Sequence, residues 1–292
     1  MSKKHKELPE YTVSANITEA AIDSHTHLFQ QGDYEKIVNE FAENKIEAVI
    51  NFVESPEDIK KAHEFSSRHK NVFYFAGLHP YSAKNFNSEY EELIIGLSKS
   101  DPQFCGVGEI GLDYHFNEES EYYVSPDIQK ETFVKQLKLA HSINLPVSLH
   151  IRDAHEDAIK ILKENKNLLT NFGIIHCFSG TINDLNEYLN LGFYISFSGA
   201  VTYKKASETV FPMEDIIRAV PSDKLLIETD APYLCPSPYR GKPNEPKYVF
   251  LTAQAIADIR EMDVNLLISW TKENTKALIK KNTLKALGGS NL

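Results

Sequence analysis

Four histidines and two carboxylates in this chain each close a short apolar run. They are His25 and His27 in AIDSHTHL, Glu109 in GVGEIGLD, His150 in PVSLHIRD, His176 in GIIHCFSG and Asp230 in LLIETDAPYL. The preceding residues are mostly Val, Ile, Leu, Phe and Ala, the pattern of buried strands. An imidazole or carboxylate at such a place is costly to bury unless something pairs it. One arrangement satisfies all six: a shared metal centre at the mouth of a barrel, where the cation compensates the carboxylates and the imidazoles donate lone pairs. His25 and His27 are two apart, so on a strand their rings share a face and can hold one ion. Glu109 sits among glycines that leave room for its carboxylate, and a carboxylate has two oxygens with which to bridge two cations. Alone, the His25/His27 pair would read as a surface coincidence and His150 or His176 as a hydrogen-bonded core residue; the set is what points to ligation. Asp230 has helix N-capping as its alternative reading.

His79 in GLHPY closes another apolar run and faces the same mouth, where it would contact a substrate phosphate or donate a proton. The remaining histidines fit blander roles. His63, His69, His141 and His155 fall on helical stretches and are expected to face solvent, and His5 is in the N-terminal tail; His115, in the loop after the fourth strand, fits either a bland or a functional role. Cys105, Cys177 and Cys235 form no CxxC pair, which argues against a disulfide framework or zinc ribbon and fits a reducing, cytoplasmic setting. Cys177 is expected to point away from the lumen, because it alternates with His176 and Phe178.

Something must hold these groups together. Apolar strand-like runs recur at 21–28, 46–53, 72–80, 104–114, 146–152, 173–180, 193–201 and 225–234. Amphipathic stretches separate them, among them YEKIVNEFAENK, SPEDIKKAHEFSSRH, EYEELIIGLSKS, QKETFVKQLKLAHSIN, DAIKILKENKN, TINDLNEYLNLG and MEDIIRAVPSD. Strands alternating with helices read as βα units on a parallel sheet. Eight such units in one chain of this length predict a closed (β/α)8 TIM barrel. A doubly wound open sheet would want a Gly-rich phosphate turn after its first strand, and IDSHTHLF has none. Residues 18–292 read as one hydrolase-type barrel domain, with 1–17 an extension outside it and GGSNL a loose end. The acidic, aromatic FNEESEYYVSPD and the Pro-rich CPSPYRGKPNEP both follow strands, so both are expected on the catalytic face.

Composition sets the outer bounds. The 292 residues are 42% hydrophobic and 25% charged, ordinary globular values. A chain this long buries roughly three quarters of its unfolded surface and needs no covalent staples. The start, MSKKHKELPEYT, lacks the apolar core of a secretory signal, and no apolar run reaches the ~18 residues of a membrane span. No obligate protein partner is evident. The net charge of −10 argues against a surface that coats nucleic acid. It leaves room for a nuclease, because two divalent ions would add positive charge inside the cleft where a phosphate is captured.

In order along the chain, IDSHTHL, GLHPY, GEIGLDYH, QKETFVKQLKLAHSINLPVSLHIRDA, IIHCFSG, ETDAPYL and RGKPNEP resemble the TatD-type deoxyribonucleases, metal-dependent hydrolases with a TIM-barrel fold. The resemblance runs over roughly residues 20–280 and its ordered motif set is highly specific. It implies that His25, His27, Glu109 and Asp230 hold one metal and that Glu109, His150 and His176 hold a second, with Glu109 bridging. It further implies that His79 sits beside the scissile phosphate, that DNA is the substrate, and that cleavage often proceeds as a 3′→5′ exonuclease. The chain departs from the usual family pattern in GLHPY, which lacks a second histidine, and in RGKPNEP, where RGKRNEP is common.

On that reading the cofactors are two divalent ions, with Zn, Mn or Fe better suited to mixed imidazole and carboxylate ligands than Mg. They would activate a water, and Asp230 would both ligate and take its proton as general base. Arg240 and Lys242 would hold the DNA backbone. A metal-dependent phosphoesterase or amidohydrolase-type enzyme acting on a small substrate is the alternative. The amidohydrolase or lactonase version is disfavoured, because many such barrels use a carbamylated lysine where this chain has Glu109. A non-enzymatic barrel scaffold would have no reason to keep all six ligand types.

Overall fold

In the computed structural model, residues 11–169, 173–203 and 213–283 are described, with side chains to 279. The expectations placed on His5, on the rest of residues 1–10 and on the C-terminal GGSNL lie outside the described residues. The strands are β1 (Ala21–Thr26), β2 (Ile46–Val53), β3 (Val72–Ala76), β4 (Phe104–Asp113), β5 (Val147–Arg152), β6 (Ile174–Ile175), β7 (Tyr194–Phe197) and β8 (Leu225–Ile227). They pair in parallel in the order β1 to β8. A parallel bridge from Thr26 to Ala231 brings the last strand's end back to the first. The hydrogen bonds His27 N to Ala231 O (2.7 Å) and Asp230 N to His25 O (2.9 Å) lie beside it. The eight strands thus form a nearly closed barrel, as expected.

The helices α1 (Tyr34–Asn39), α2 (Pro56–Arg68), α3 (Ser88–Ser100), α4 (Pro126–Ser142), α5 (His155–Glu164), α6 (Ile182–Asn190) and α7 (Met213–Ala219) alternate with the strands. Their starts are written in the sequence. Ser55, one residue before Pro56, accepts from Asp58 N; Asn87 accepts from Tyr90 N; Thr181 and Asp184 form a reciprocal capping box. Two further helices, α8 (Val249–Ile259) and α9 (Val264–Thr283), lie beyond the stretches named from the sequence pattern.

Two layers of core explain the strand composition. Ile22, Ala48, Ile50, Phe52, Phe73, Phe75, Cys105, Ile174, Tyr194 and Leu226 form one cluster with Leu278 and Ile279. A single cluster fed by seven strands, at alternate positions 48, 50, 52 and 73, 75, is the barrel interior, and the end of α9 closes it. The larger cluster lies between strands and helices. Buried on both faces, the strands read as continuous apolar runs rather than alternations.

Several strands are shorter than expected. β3 ends at Ala76, β6 at Ile175 and β8 at Ile227, so His79, His176 and Asp230 stand in the loops just past the strands. Asp230 has φ 57, and the APYL that follows forms no helix, so helix capping does not explain it. Cys177 has φ 45, so strand alternation does not govern it; its Sγ lies 3.2 Å from Ser198 Oγ. Residues 11–17 are tied to the domain. Tyr11 packs on Tyr239 and Tyr248 with centroids 5.8 and 5.3 Å apart, and Ile17 is buried in the core.

Candidate metal centre

Regular alternation would not deliver the first pair of histidines. Ile22 belongs to the lumenal cluster, which would set Ser24 beside it and His25 on the opposite face. The pairing of β1 with β2 slips between Asp23 and Thr26, and slips of this kind re-aim side chains. His25 consequently stacks on lumenal Phe52 at 3.7 Å and on His176 at 4.0 Å. β4 slips against β5 between Val107 and Ile110, on either side of Glu109. Two residues on, Gly111 has φ 141, and a Cβ there would lie 2.1 Å from the carbonyl oxygen of His150. Only glycine brings β4 this close to β5.

Around Glu109 the donor atoms form two groups, one per carboxylate oxygen. Oε2 lies 3.5 Å from His25 Nε2 and 3.7 Å from His27 Nε2. Those two nitrogens are 3.3 Å apart, and Asp230 Oδ1 lies 3.8 and 3.4 Å from them. Oε1 lies 2.7 Å from His176 Nε2 and 2.8 Å from His150 Nδ1, which are 3.4 Å from each other, and 4.0 Å from His79 Nε2. The structure therefore brings together all six residues proposed as ligands, with His79 at their edge.

The first group has the dimensions of a coordination shell. A tetrahedral ion with bonds of about 2.0–2.3 Å needs its ligand atoms roughly 3.3–3.8 Å apart, and the five separations above span 3.3 to 3.8 Å. Two imidazole nitrogens facing each other this closely, on buried rings beside two carboxylates, are what a cation would draw together. Groups with suitable spacing also include His79–Glu109–His150 and, deeper, His25–His176–Glu228.

Supporting groups orient several of the rings. His150 donates from Nε2 to Asp113 Oδ2 at 2.8 Å, leaving Nδ1 toward Glu109. Asp113 is held in turn by Tyr81 Oη (2.7 Å), by His115 N (2.9 Å), and through Gln129, which bonds its backbone N–H. His176 Nδ1 lies 3.3 Å from Glu228 Oε1, which also accepts from Cys177 N at 2.7 Å. A carboxylate behind a histidine fixes its tautomer and raises its basicity as a ligand. Asp23 anchors the β1–β8 seam, accepting from Thr229 N at 2.8 Å and from the Thr229 hydroxyl. His25 Nδ1 has no hydrogen-bond partner among the described residues, so its ring is held by the stacking of Phe52 and His176 instead.

The electrostatics keep the carboxylates at the centre ionised. Burial would raise Glu109, but the charges of His176 and His25 and the bonds from His150 and His176 hold it well below the usual range. Asp113 is pulled down to about 2, its burial outweighed by the His150 hydrogen bond. Asp230 is lowered too, burial being overcome by His27, His176 and His25. His79 goes the other way. Burial, then the charge on His150, depresses it to about 3, so it is neutral at physiological pH. Asp23 is raised to about 8 by burial, against the bonds from Thr229.

Other expectations fared differently. Arg240 and Lys242 are exposed on the segment after β8, where they cover the rings of Tyr203 (4.3 Å) and Tyr239 (5.6 Å); no described contact brings either to the histidine cluster. His63 and His141 are exposed as expected. His155 is not: it lies half-buried with Nδ1 3.0 Å from Tyr188 Oη. His69 stacks on Phe65 at 4.2 Å, partly buried. Sequence reasoning misses Asp113, Glu228, Tyr81 and Arg152. The first two carry a signal, being carboxylates that stand four residues after Glu109 and two before Asp230 in the same motifs. Arg152, exposed at the end of β5, brings its charge to the Tyr81 hydroxyl, a juxtaposition no spacing announces.

Barrel and site together define the class, a metal-dependent hydrolase on a TIM barrel. More narrowly, the chain belongs to the TatD related DNase family, whose model matches residues 22–280. It is 36% identical over 263 residues to the uncharacterized metal-dependent hydrolase YabD of Bacillus subtilis, covering 89% of this chain and 99% of that one. It is 34% identical over 223 residues to a 3′-5′ ssDNA/RNA exonuclease TatD of Escherichia fergusonii, covering 75% of this chain and 82% of that one. The crystal structure of the TatD homolog YjjV from Escherichia coli K12 superposes with a TM-score of 0.78 at 27% identity, covering 89% and 98% of the two chains. Among the described residues no helix is long and apolar enough to cross a membrane.

Proposed function

We propose that this protein hydrolyses phosphodiester bonds of single-stranded nucleic acid, DNA first among them, from the 3′ end. The observation that carries the reading is Glu109, whose two oxygens each face a separate set of imidazoles. That division suits a carboxylate shared between two divalent ions, one with His25, His27 and Asp230 and the other with His150 and His176. Held there, the ions would supply a water of lowered pKa and positive charge for the phosphate oxygens.

The chain's own groups supply the rest. The Asp230 carboxylate, lowered in pKa and so ionised, would accept the proton of the attacking water. His79, neutral at pH 7, orients the phosphate through a ring N–H rather than by charge. Asp113 and Glu228 keep the His150 and His176 rings aimed at the centre. Arg240 and Lys242 are the exposed cations assigned to the backbone, and they are few for a chain of net charge −10. The exonuclease polarity follows the name given to the E. fergusonii relative.

The test is to incubate metal-loaded protein with end-labelled single- and double-stranded DNA, with RNA, and with bis(p-nitrophenyl) phosphate. Stepwise shortening from the 3′ end, abolished by chelation and restored by Mn²⁺, Mg²⁺ or Zn²⁺, is expected. Hydrolysis of small esters alone would move the reading to a small-molecule phosphoesterase. Full activity without metal would overturn the mechanism.

A further inference from the structure

The entrance to the centre is framed by aromatic rings that the chemistry above does not use. On one side His79 meets Tyr81 edge-on, with centroids 4.3 Å apart. Tyr81, Phe116 and Tyr122 then form a pile with separations of 5.4, 5.7 and 5.5 Å, leading outward to Tyr122, which is 50% exposed. On the other side His27 meets Tyr233 edge-on at 6.0 Å, and Tyr233 is 53% exposed. Among the described residues the exposed large hydrophobic side chains are Tyr122, Tyr233 and Leu266, so two of the three stand at this one entrance.

Both rings are fixed rather than dangling. Tyr233 donates its hydroxyl to Gln30 Oε1 at 2.6 Å, and Tyr122 is held by its ring neighbours and by its backbone N–H bond to Ser120 Oγ at 3.2 Å. Their inner neighbours converge on one carboxylate, His79 Nε2 lying 4.0 Å from Glu109 Oε1 and His27 Nε2 3.7 Å from Glu109 Oε2. The loop that carries Tyr122 bears exposed Glu118, Glu119 and Glu121. Those carboxylates repel a phosphate, so the surface the loop offers suits a neutral, flat group.

We propose that Tyr122, backed by Phe116 and Tyr81, and Tyr233 opposite it form a nucleobase-stacking subsite that grips the unpaired bases next to the scissile phosphate. The proposal rests on the nuclease reading above and adds the group of the substrate that is recognised. Every base has a π-face, so stacking is tolerant of sequence but requires the base to be free of its partner strand. The subsite therefore selects single strands, and it lets an acidic protein bind nucleic acid with few phosphate contacts.

Tyr122→Ala, Tyr233→Ala and the matching Phe variants test it; Tyr122 contacts Tyr81 and Phe116 rather than a proposed ligand, and Tyr233 meets one of them, His27, only edge-on at 6.0 Å. Each Ala variant is expected to raise KM for a single-stranded oligonucleotide by about fivefold or more while leaving kcat near wild type. The Phe variants should restore KM, and bis(p-nitrophenyl) phosphate should be hydrolysed at wild-type rate throughout. Binding is read separately by fluorescence anisotropy, on metal-loaded protein with a phosphorothioate thymidine octamer against the same octamer made abasic. Wild type should prefer the base-bearing octamer and the Ala variants should lose the preference. Unchanged KM in both Ala variants, or equal binding of both octamers by wild type, overturns the subsite. If wild type discriminates the octamers through the tyrosines yet cleaves neither DNA nor RNA, the subsite stands and the nuclease reading falls. If nucleic acid is cleaved equally well with and without the tyrosines, the nuclease reading stands and the subsite falls.

Discussion

At the scale of single residues, the centre distributes its roles unequally. Glu109 touches both groups of donors, whereas His79 reaches only the edge of one at 4.0 Å. Under the proposed assignment Glu109→Ala should strip most of the bound metal from both positions, and His79→Ala should leave metal content near wild type while impairing turnover. Elemental analysis of the two purified variants decides; equal metal loss would remove His79 from the substrate side. Asp113 makes a subtler prediction. It is buried and fixes His150 through Nε2. Asp113→Asn keeps the shape and removes the charge behind the ring, and should weaken metal affinity by roughly tenfold or more. Competition with a chelator of known affinity measures this, and circular dichroism verifies that the barrel is intact.

At the scale of elements, the site depends on irregularities in otherwise regular strands. β1 slips at Asp23–Thr26 and β4 at Val107–Ile110, and these are the strands that bear His25 and Glu109. Gly111 permits the second, with φ 141 and no space for a Cβ. Gly111→Ala is therefore expected to destabilise the fold by about 2 kcal/mol or more, a fall in Tm of several degrees for a chain of this size. Gly32→Ala is the control, because a Cβ there meets nothing within 4 Å. Thermal unfolding of the two variants side by side separates strain at the strand from a general intolerance of alanine. Equal Tm for both would show that β4 accommodates the side chain by moving.

At the scale of the whole molecule, charge and function pull in opposite directions. A protein of net charge −10 cannot gather nucleic acid by a broad field. Its affinity should come from the metal cleft, a few cations and stacked bases. With two or three phosphate contacts on a single strand the slope of log affinity against log salt should be about −1.5 to −2. Anisotropy titrations across a salt series measure it. A slope as steep as about −5.5, that of eight neutralised phosphates, would reveal a basic surface assembled by several copies of the chain.

Much of this was legible in the sequence, for a definite reason. Apolar runs alternating with amphipathic stretches dictate βα units, and polar groups at the ends of such runs have little reason to exist without a partner. That reasoning, together with the family resemblance, named the barrel, Glu109 and the five residues now found around it. What the sequence left open depends on geometry without a local signature. A strand slip that turns His25 into the lumen adds no residue type. The strands stop short of His79, His176 and Asp230 because pairing ends, not because the residues change. Asp113 and Glu228 read as ordinary acids until His150 and His176 are placed against them, and His155 reads as a surface residue until Tyr188 meets it. Neither Tyr122 nor Tyr233 announces a partner across a gap of more than a hundred residues. Side-chain chemistry is local and is carried by the sequence; which groups face each other is set by long-range packing, and that was decided only when the barrel closed.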